Sequence, residues 1–237
     1  MTGVRKLSAV LTGTLCPKIK LNIPKEASEK HNNIKKEALQ RLKQHLSSEG
    51  VRIVAVAGVS TNEASVRGII GRATYNGRLD VLAIAKSKDG YIPLVVEVKS
   101  GRASSRSLDA LFQASIYAAP FYKCLSNHNN CEINISGKEF IMKVYLNSSS
   151  VSDELRAEFD VNIDDFNIKL NNIRSFRVFL AGPGTLEDLT PYAKMIIEGI
   201  LSAPSVATSS AKDMIVPGPW CAYCRLLHEG ACTAGLL

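Results

Sequence analysis

The chain has 237 residues, 46% of them apolar and 22% charged, a composition that excludes a disordered chain and suffices for a real core. At about 150 residues per domain, this length suits one large domain or one domain with an appendage. Its 29 Lys and Arg against 22 Asp and Glu leave a net charge of +7, which suits a polyanionic partner such as nucleic acid.

No apolar run approaches the ~18 residues that cross a bilayer. Residues 1–16 carry Arg5-Lys6 and then a mildly apolar stretch, a faint likeness to a secretion signal that Thr12, Gly13 and Thr14 interrupt. The expectation is a cytoplasmic protein with no membrane partner. In a reducing cytoplasm, clustered cysteines point to metal rather than to disulfides. Cys16, at the end of this stretch, stands alone.

Residues 28–46 predict a helix, because Ile34, Ala38 and Leu42 recur at four-residue spacing with Leu39 and Leu46 beside them. His31 falls on the inward side, while Lys35, Lys36, Glu37, Arg41 and Lys43 fall mostly on the other faces. Residues 51–59, rich in valine between glycines, predict a strand. Residues 64–75 are strand-like, and Asn76-Gly77 has the form of a two-residue hairpin turn. Residues 78–85, a turn at Ser87-Lys88-Asp89-Gly90, and residues 91–99 complete an expected antiparallel meander. Residues 104–122 predict a helix that Pro120 kinks or ends early. Residues 121–131 are Asn-rich and read as a surface loop carrying free Cys124 and Cys131. Residues 140–146 and 175–180 are further strand candidates. Residues 124–184 otherwise read as loops or an insertion. Residues 189–201 predict a helix entered at Thr190-Pro191.

The tail after Pro219 holds Cys221, Cys224 and Cys232. A C-x2-C pair presents two thiolates to one ion, and a third cysteine follows. The fourth ligand is either His228, which would complete a zinc set, or Cys16, which would serve zinc or an iron–sulfur cluster.

Asp80 opens one strand of the meander, and Glu97-Val98-Lys99 closes the next. Alternation along a strand sends Glu97 and Lys99 to one face and Val98 to the other. Two carboxylates bind a hard divalent ion such as Mg2+ or Mn2+, and an adjacent lysine can orient water or stabilise developing charge. That donor set suits phosphodiester hydrolysis. A buried carboxylate at the end of an apolar run needs such a purpose, because burying it unpaired is costly.

Gly77-Arg78-Leu79-Asp80 followed by Glu97-Val98-Lys99 resembles the PD-(D/E)xK nuclease core. Gln113-x-x-x-Tyr117 is similar to the Q-x-x-x-Y motif of RecB-like nucleases, and His31 to their upstream histidine. The glycine usual four residues before that histidine is Ala27 here. One cysteine ahead of the core and three behind it resemble the iron–sulfur staple of these nucleases. Without a helicase segment, the chain resembles the CRISPR-associated RecB-like exonuclease family over residues 16–117 and the tail from Pro219.

The resemblance implies an α/β fold with a restriction-endonuclease-like core, a central mixed sheet flanked by helices. It implies a single domain over residues 1–237, its ends stapled by the cluster, with residues 124–185 unassigned. Cys16, Cys221, Cys224 and Cys232 would hold a 4Fe–4S cluster, with His228 a bystander. His31, Asp80, Glu97 and the Val98 carbonyl would hold Mg2+ or Mn2+, and Lys99 would position the attacking water. Gln113 and Tyr117 would orient the DNA strand or the lysine. Arg102 and Arg106, at a helix start, would grip phosphates. Trp220 and Tyr223 would stack on bases or shield the cluster. The implied activity is a metal-dependent exonuclease on single-stranded DNA, 5′-to-3′, preparing ends for the CRISPR adaptation integrase. Two other readings stand beside it: a viral or plasmid recombination or replication nuclease with the same site, and a non-enzymatic zinc-stabilised DNA-binding module.

Overall fold

Ile34, Ala38, Leu42 and Leu46 line the buried side of helix α1 (Lys25–Ser48) in a computed structural model of the chain, which describes residues 2–3, 25–59, 62–70, 73–100, 108–147 and 150–202. The helix runs a turn beyond the expected bounds. Its apolar stripe covers one face of a five-stranded sheet, packing on Val56, Val81, Leu94, Val96, Val98 and Phe179.

The five strands lie in the order β11 (Thr185–Asp188), β10 (Arg177–Gly182), β6 (Gly90–Val98), β5 (Val81–Ser87) and β2 (Arg52–Ala57). β10 and β6 are parallel and the other pairs antiparallel, so the sheet is mixed and the fold is α/β. β5 shows why its sequence is apolar throughout. Val81, Ala83 and Ala85 face α1, while Leu82 and Ile84 face a second core on the other side. The β5–β6 hairpin turns at Lys88-Asp89, as the sequence predicts.

The second core lies between this sheet and a six-stranded one, with helix α2 (Leu108–Ser126) packed against both. Ala114, Ile116, Tyr117, Ala118, Ala119, Phe121 and Cys124 are all buried, as a helix between two sheets requires. α2 continues past Pro120 to Ser126, so of the expected kink or early end the early end does not occur, and residues 121–126 are helix rather than loop. Tertiary burial outweighs the hydrogen bond that proline forfeits. Helix α3 (Thr190–Ser202) packs beside α2, near its predicted bounds.

The six-stranded sheet has the order β1 (Thr2–Gly3), β4 (Ala73–Arg78), β3 (Ala64–Ile70), β9 (Ser150–Glu158), β8 (Glu139–Asn147) and β7 (Cys131–Ser136). It corrects three expectations. Asn76-Gly77 is not a turn: both residues lie inside β4, opposite Arg67 and Val66 of β3, because long-range pairing overrides the local hairpin signal. The expected meander is split, with β4 in one sheet and the β5–β6 hairpin in the other. Residues 131–158, expected as loops or an insertion apart from a strand at 140–146, are three antiparallel strands, and the expected strand lies within β8. Their polar residues alternate onto the outer face, so polarity marks a half-solvated sheet rather than irregular chain.

A buried polar knot joins α2 to this sheet. Asp153 in β9 accepts from Tyr75 at 2.7 Å, Lys123 at 2.5 Å and Ser152 at 2.7 Å. Cys124 and Cys131 are not free: they form a disulfide, their Cα atoms 5.5 Å apart, because the chain folds back through a 3-10 turn at His128–Asn130 between α2 and β7.

Candidate active site

Asp80 stands at the bend where the chain leaves the six-stranded sheet for β5. The Leu79 N–H still donates to the Ala64 carbonyl of the six-stranded sheet at 2.9 Å. Asp80 Oδ2 accepts the Val98 N–H at 2.8 Å, which ties the start of β5 to the end of β6. His31 Nε2 lies 2.8 Å from Asp80 Oδ1, so α1 reaches to the end of the sheet where β5 begins.

Glu97 and Lys99 project together, as strand alternation predicts, and Lys99 Nζ donates to Glu97 Oε1 at 2.6 Å. The lysine backbone is fixed too, its N–H donating to Ala181 of the neighbouring strand β10 at 2.9 Å. Lys99 Nζ also donates to Gln113 Oε1 at 2.7 Å, and Gln113 Nε2 donates to the Tyr117 hydroxyl at 3.2 Å. Gln113 and Tyr117 are both buried, one turn apart on α2. Through Gln113 the pair reaches the lysine. The structure thus brings His31, Asp80, Glu97, Val98, Lys99, Gln113 and Tyr117 to one end of the five-stranded sheet.

Burial would raise the Asp80 carboxyl, but the hydrogen bond and charge of His31, the charge of Lys35 and the Val98 N–H outweigh it and hold Asp80 below the ordinary value. Glu97 goes the other way. Burial pushes its carboxyl up to about 7, the Lys99 ammonium pulls it back only in part, and the charge of Asp80 adds to the rise. Two carboxylates with opposed environments therefore share one site.

Glu97 Oε2 is buried without a hydrogen-bond partner, an acceptor that a cation would satisfy. The 2.8 Å between His31 Nε2 and Asp80 Oδ1 is close to the separation of neighbouring ligands around an octahedral ion with bonds of about 2.1 Å. Oxygen-rich donors of this kind suit Mg2+ or Mn2+. Among the described residues no three His, Cys, Asp or Glu side chains converge as a ready ligand group, so an ion here also needs the Val98 carbonyl, water or substrate oxygens.

Lys35 does not lie on the solvated side of α1 that helical spacing predicts for it. It is only 13% exposed and faces Asp80, one helical turn from His31. The spacing of four from His31 was the signal that could have found it. Cys16, Cys221, Cys224, Cys232, His228, Trp220, Tyr223, Arg102 and Arg106 lie outside the described residues. Among the described residues no helix is long and apolar enough to cross a membrane. No family model, curated protein or solved structure matches the chain.

Proposed function

We propose that the chain is a metal-dependent deoxyribonuclease of the PD-(D/E)xK type, acting on single-stranded DNA. The observation that carries this reading is the Glu97 carboxylate, bonded to Lys99 through one oxygen and buried without a partner at the other, beside the His31–Asp80 pair. A carboxylate is kept in such a place when it has a cation to hold.

His31, Asp80, Glu97 and the Val98 carbonyl would hold Mg2+ or Mn2+. When bound, the ion supplies an acidified water and offsets charge building on the phosphorus. Lys99 would orient the attacking water and steady the developing negative charge. Gln113, braced by Tyr117, keeps the lysine ammonium aimed at the site. The His31–Asp80 contact, reaching from α1, fixes the first carboxylate.

The exonucleolytic action, the 5′-to-3′ polarity and the setting in CRISPR spacer acquisition with the adaptation integrase come with the resemblance of these motifs to the RecB-like family. So does a 4Fe–4S cluster on Cys16, Cys221, Cys224 and Cys232. The test is cleavage of end-labelled single-stranded DNA by anaerobically purified protein with Mn2+ or Mg2+, beside Lys99→Ala. Metal-dependent cleavage lost in that variant supports the reading, and absorbance near 400 nm with bound iron supports the cluster. An iron-loaded, folded protein that leaves DNA intact argues for a binding module instead.

A further inference from the structure

We infer, on the nuclease reading above, that Lys35 stands where a second divalent ion would sit on Asp80, so that the site takes one ion beside one fixed ammonium. His31 and Lys35 lie four residues apart on α1 and reach over the same carboxylate. Lys35 Nζ is 3.5 Å from Asp80 Oδ1, the oxygen that His31 Nε2 approaches to 2.8 Å. The ammonium is anchored: it donates to the Gly58 carbonyl at 3.2 Å and its side chain is only 13% exposed.

Gly58 makes that anchor possible. Its φ is +90°, and a Cβ there would lie 2.5 Å from the Asp80 carbonyl oxygen. Only glycine lets the chain just past β2 press so closely on Asp80, and this closeness brings the Gly58 carbonyl within reach of Lys35.

Two-metal phosphodiester sites place their ions about 3.5–4 Å apart around shared carboxylates. A second ion shared by Asp80 Oδ1 would meet the Lys35 ammonium directly, charge against charge. The charge sum agrees. Asp80 and Glu97 are balanced by Lys35 and Lys99, and one divalent ion already makes the site positive enough for a phosphodiester. Lys35 is thus a positioning residue that acts through Asp80.

The test is Mn2+ titration of the full chain without DNA, followed by calorimetry and electron paramagnetic resonance, counting the ions lost in Asp80→Ala. Wild type should bind one Mn2+ per chain. Lys35→Gln, which removes the charge and keeps a donor for Gly58, should bind that ion about tenfold tighter. Lys35→Glu adds a third carboxylate and should bind two ions with spin-coupled signals. Two Mn2+ in wild type overturn the inference, and this count decides even if the variants misfold. Folded Lys35→Gln and Lys35→Glu with wild-type stoichiometry and affinity overturn it as well. Wild type that binds no Mn2+ overturns both this inference and the nuclease reading. One ion with the expected variant responses supports the inference even if DNA is not cleaved, a result that would sink the nuclease reading alone.

Discussion

Lys99 Nζ donates to Gln113 Oε1 at 2.7 Å, and this bond joins the end of β6 to the helix buried between the two sheets. The same ammonium holds Glu97 at 2.6 Å. Gln113 therefore decides where the lysine points when a cation competes for the carboxylate. Gln113→Ala should lower kcat roughly 10–100-fold while the KM for DNA stays within about twofold. Steady-state cleavage of a labelled strand measures both. A raised KM with unchanged kcat would place Gln113 on the DNA instead of on the lysine.

Asp153 tests how α2 is held to the six-stranded sheet. It is fully buried and accepts from Lys123, Tyr75 and Ser152 at once. Asp153→Ala strands the Lys123 ammonium at a largely buried position, which should cost about 3–5 kcal/mol. For a chain of this size the melting temperature should fall by roughly 10 °C. Asp153→Ala combined with Lys123→Met should recover much of that loss, because the stranded charge is gone. A melt of the single variant within about 2 °C of wild type would show that the knot is not what joins α2 to the sheet.

The site was more legible than the fold around it, for a physical reason. Glu97 and Lys99 obey the strict period of two along one strand, and Gln113 and Tyr117 the period of four along one helix, so local geometry alone put each pair on one face. The α1 core residues Ile34, Ala38, Leu42 and Leu46 were readable in the same way. Asn76-Gly77 misled because its turn preference is worth less than pairing with β3 and β1, partners that no local window contains. Lys35 misled because a lysine on a helix is read as solvated, and only the fold brings Gly58 and Asp80 beneath it. β7 and β9, unlike the β8 residues 140–146, were hidden by the polar outer face of the sheet, where Glu154 sits between Arg67 and Arg156.

The Cys124–Cys131 disulfide closes a short loop from the last turns of α2 to β7. Chain-entropy reasoning assigns a loop this small about 2 kcal/mol. A phosphine reductant should therefore lower the melting temperature by roughly 4–8 °C, and Cys124→Ala with Cys131→Ala should melt at the reduced value and ignore the reductant. Mass analysis after alkylation without reductant checks the bond directly. Alkylation of both cysteines in the untreated protein would leave the loop open and the pair as ordinary thiols.

Glu97 predicts opposite pH responses with and without a divalent ion. Burial raises its carboxyl to about 7, above the ordinary 4.5, so the folded state prefers the protonated form. In metal-free protein the stability this supplies is fully present below about 4.5 and is lost as pH rises through about 7. The metal-free melting temperature should thus decline between about pH 5 and pH 8 by a contribution that Glu97→Gln removes. A divalent ion needs the carboxylate and competes with that proton. Mn2+ affinity should climb about tenfold per pH unit up to about 7 and then level off. Calorimetric titrations across this range, in wild type and Glu97→Gln, read the slope. A Mn2+ affinity independent of pH below 7 would remove Glu97 from the ligand set and leave its burial to be explained by Lys99 alone.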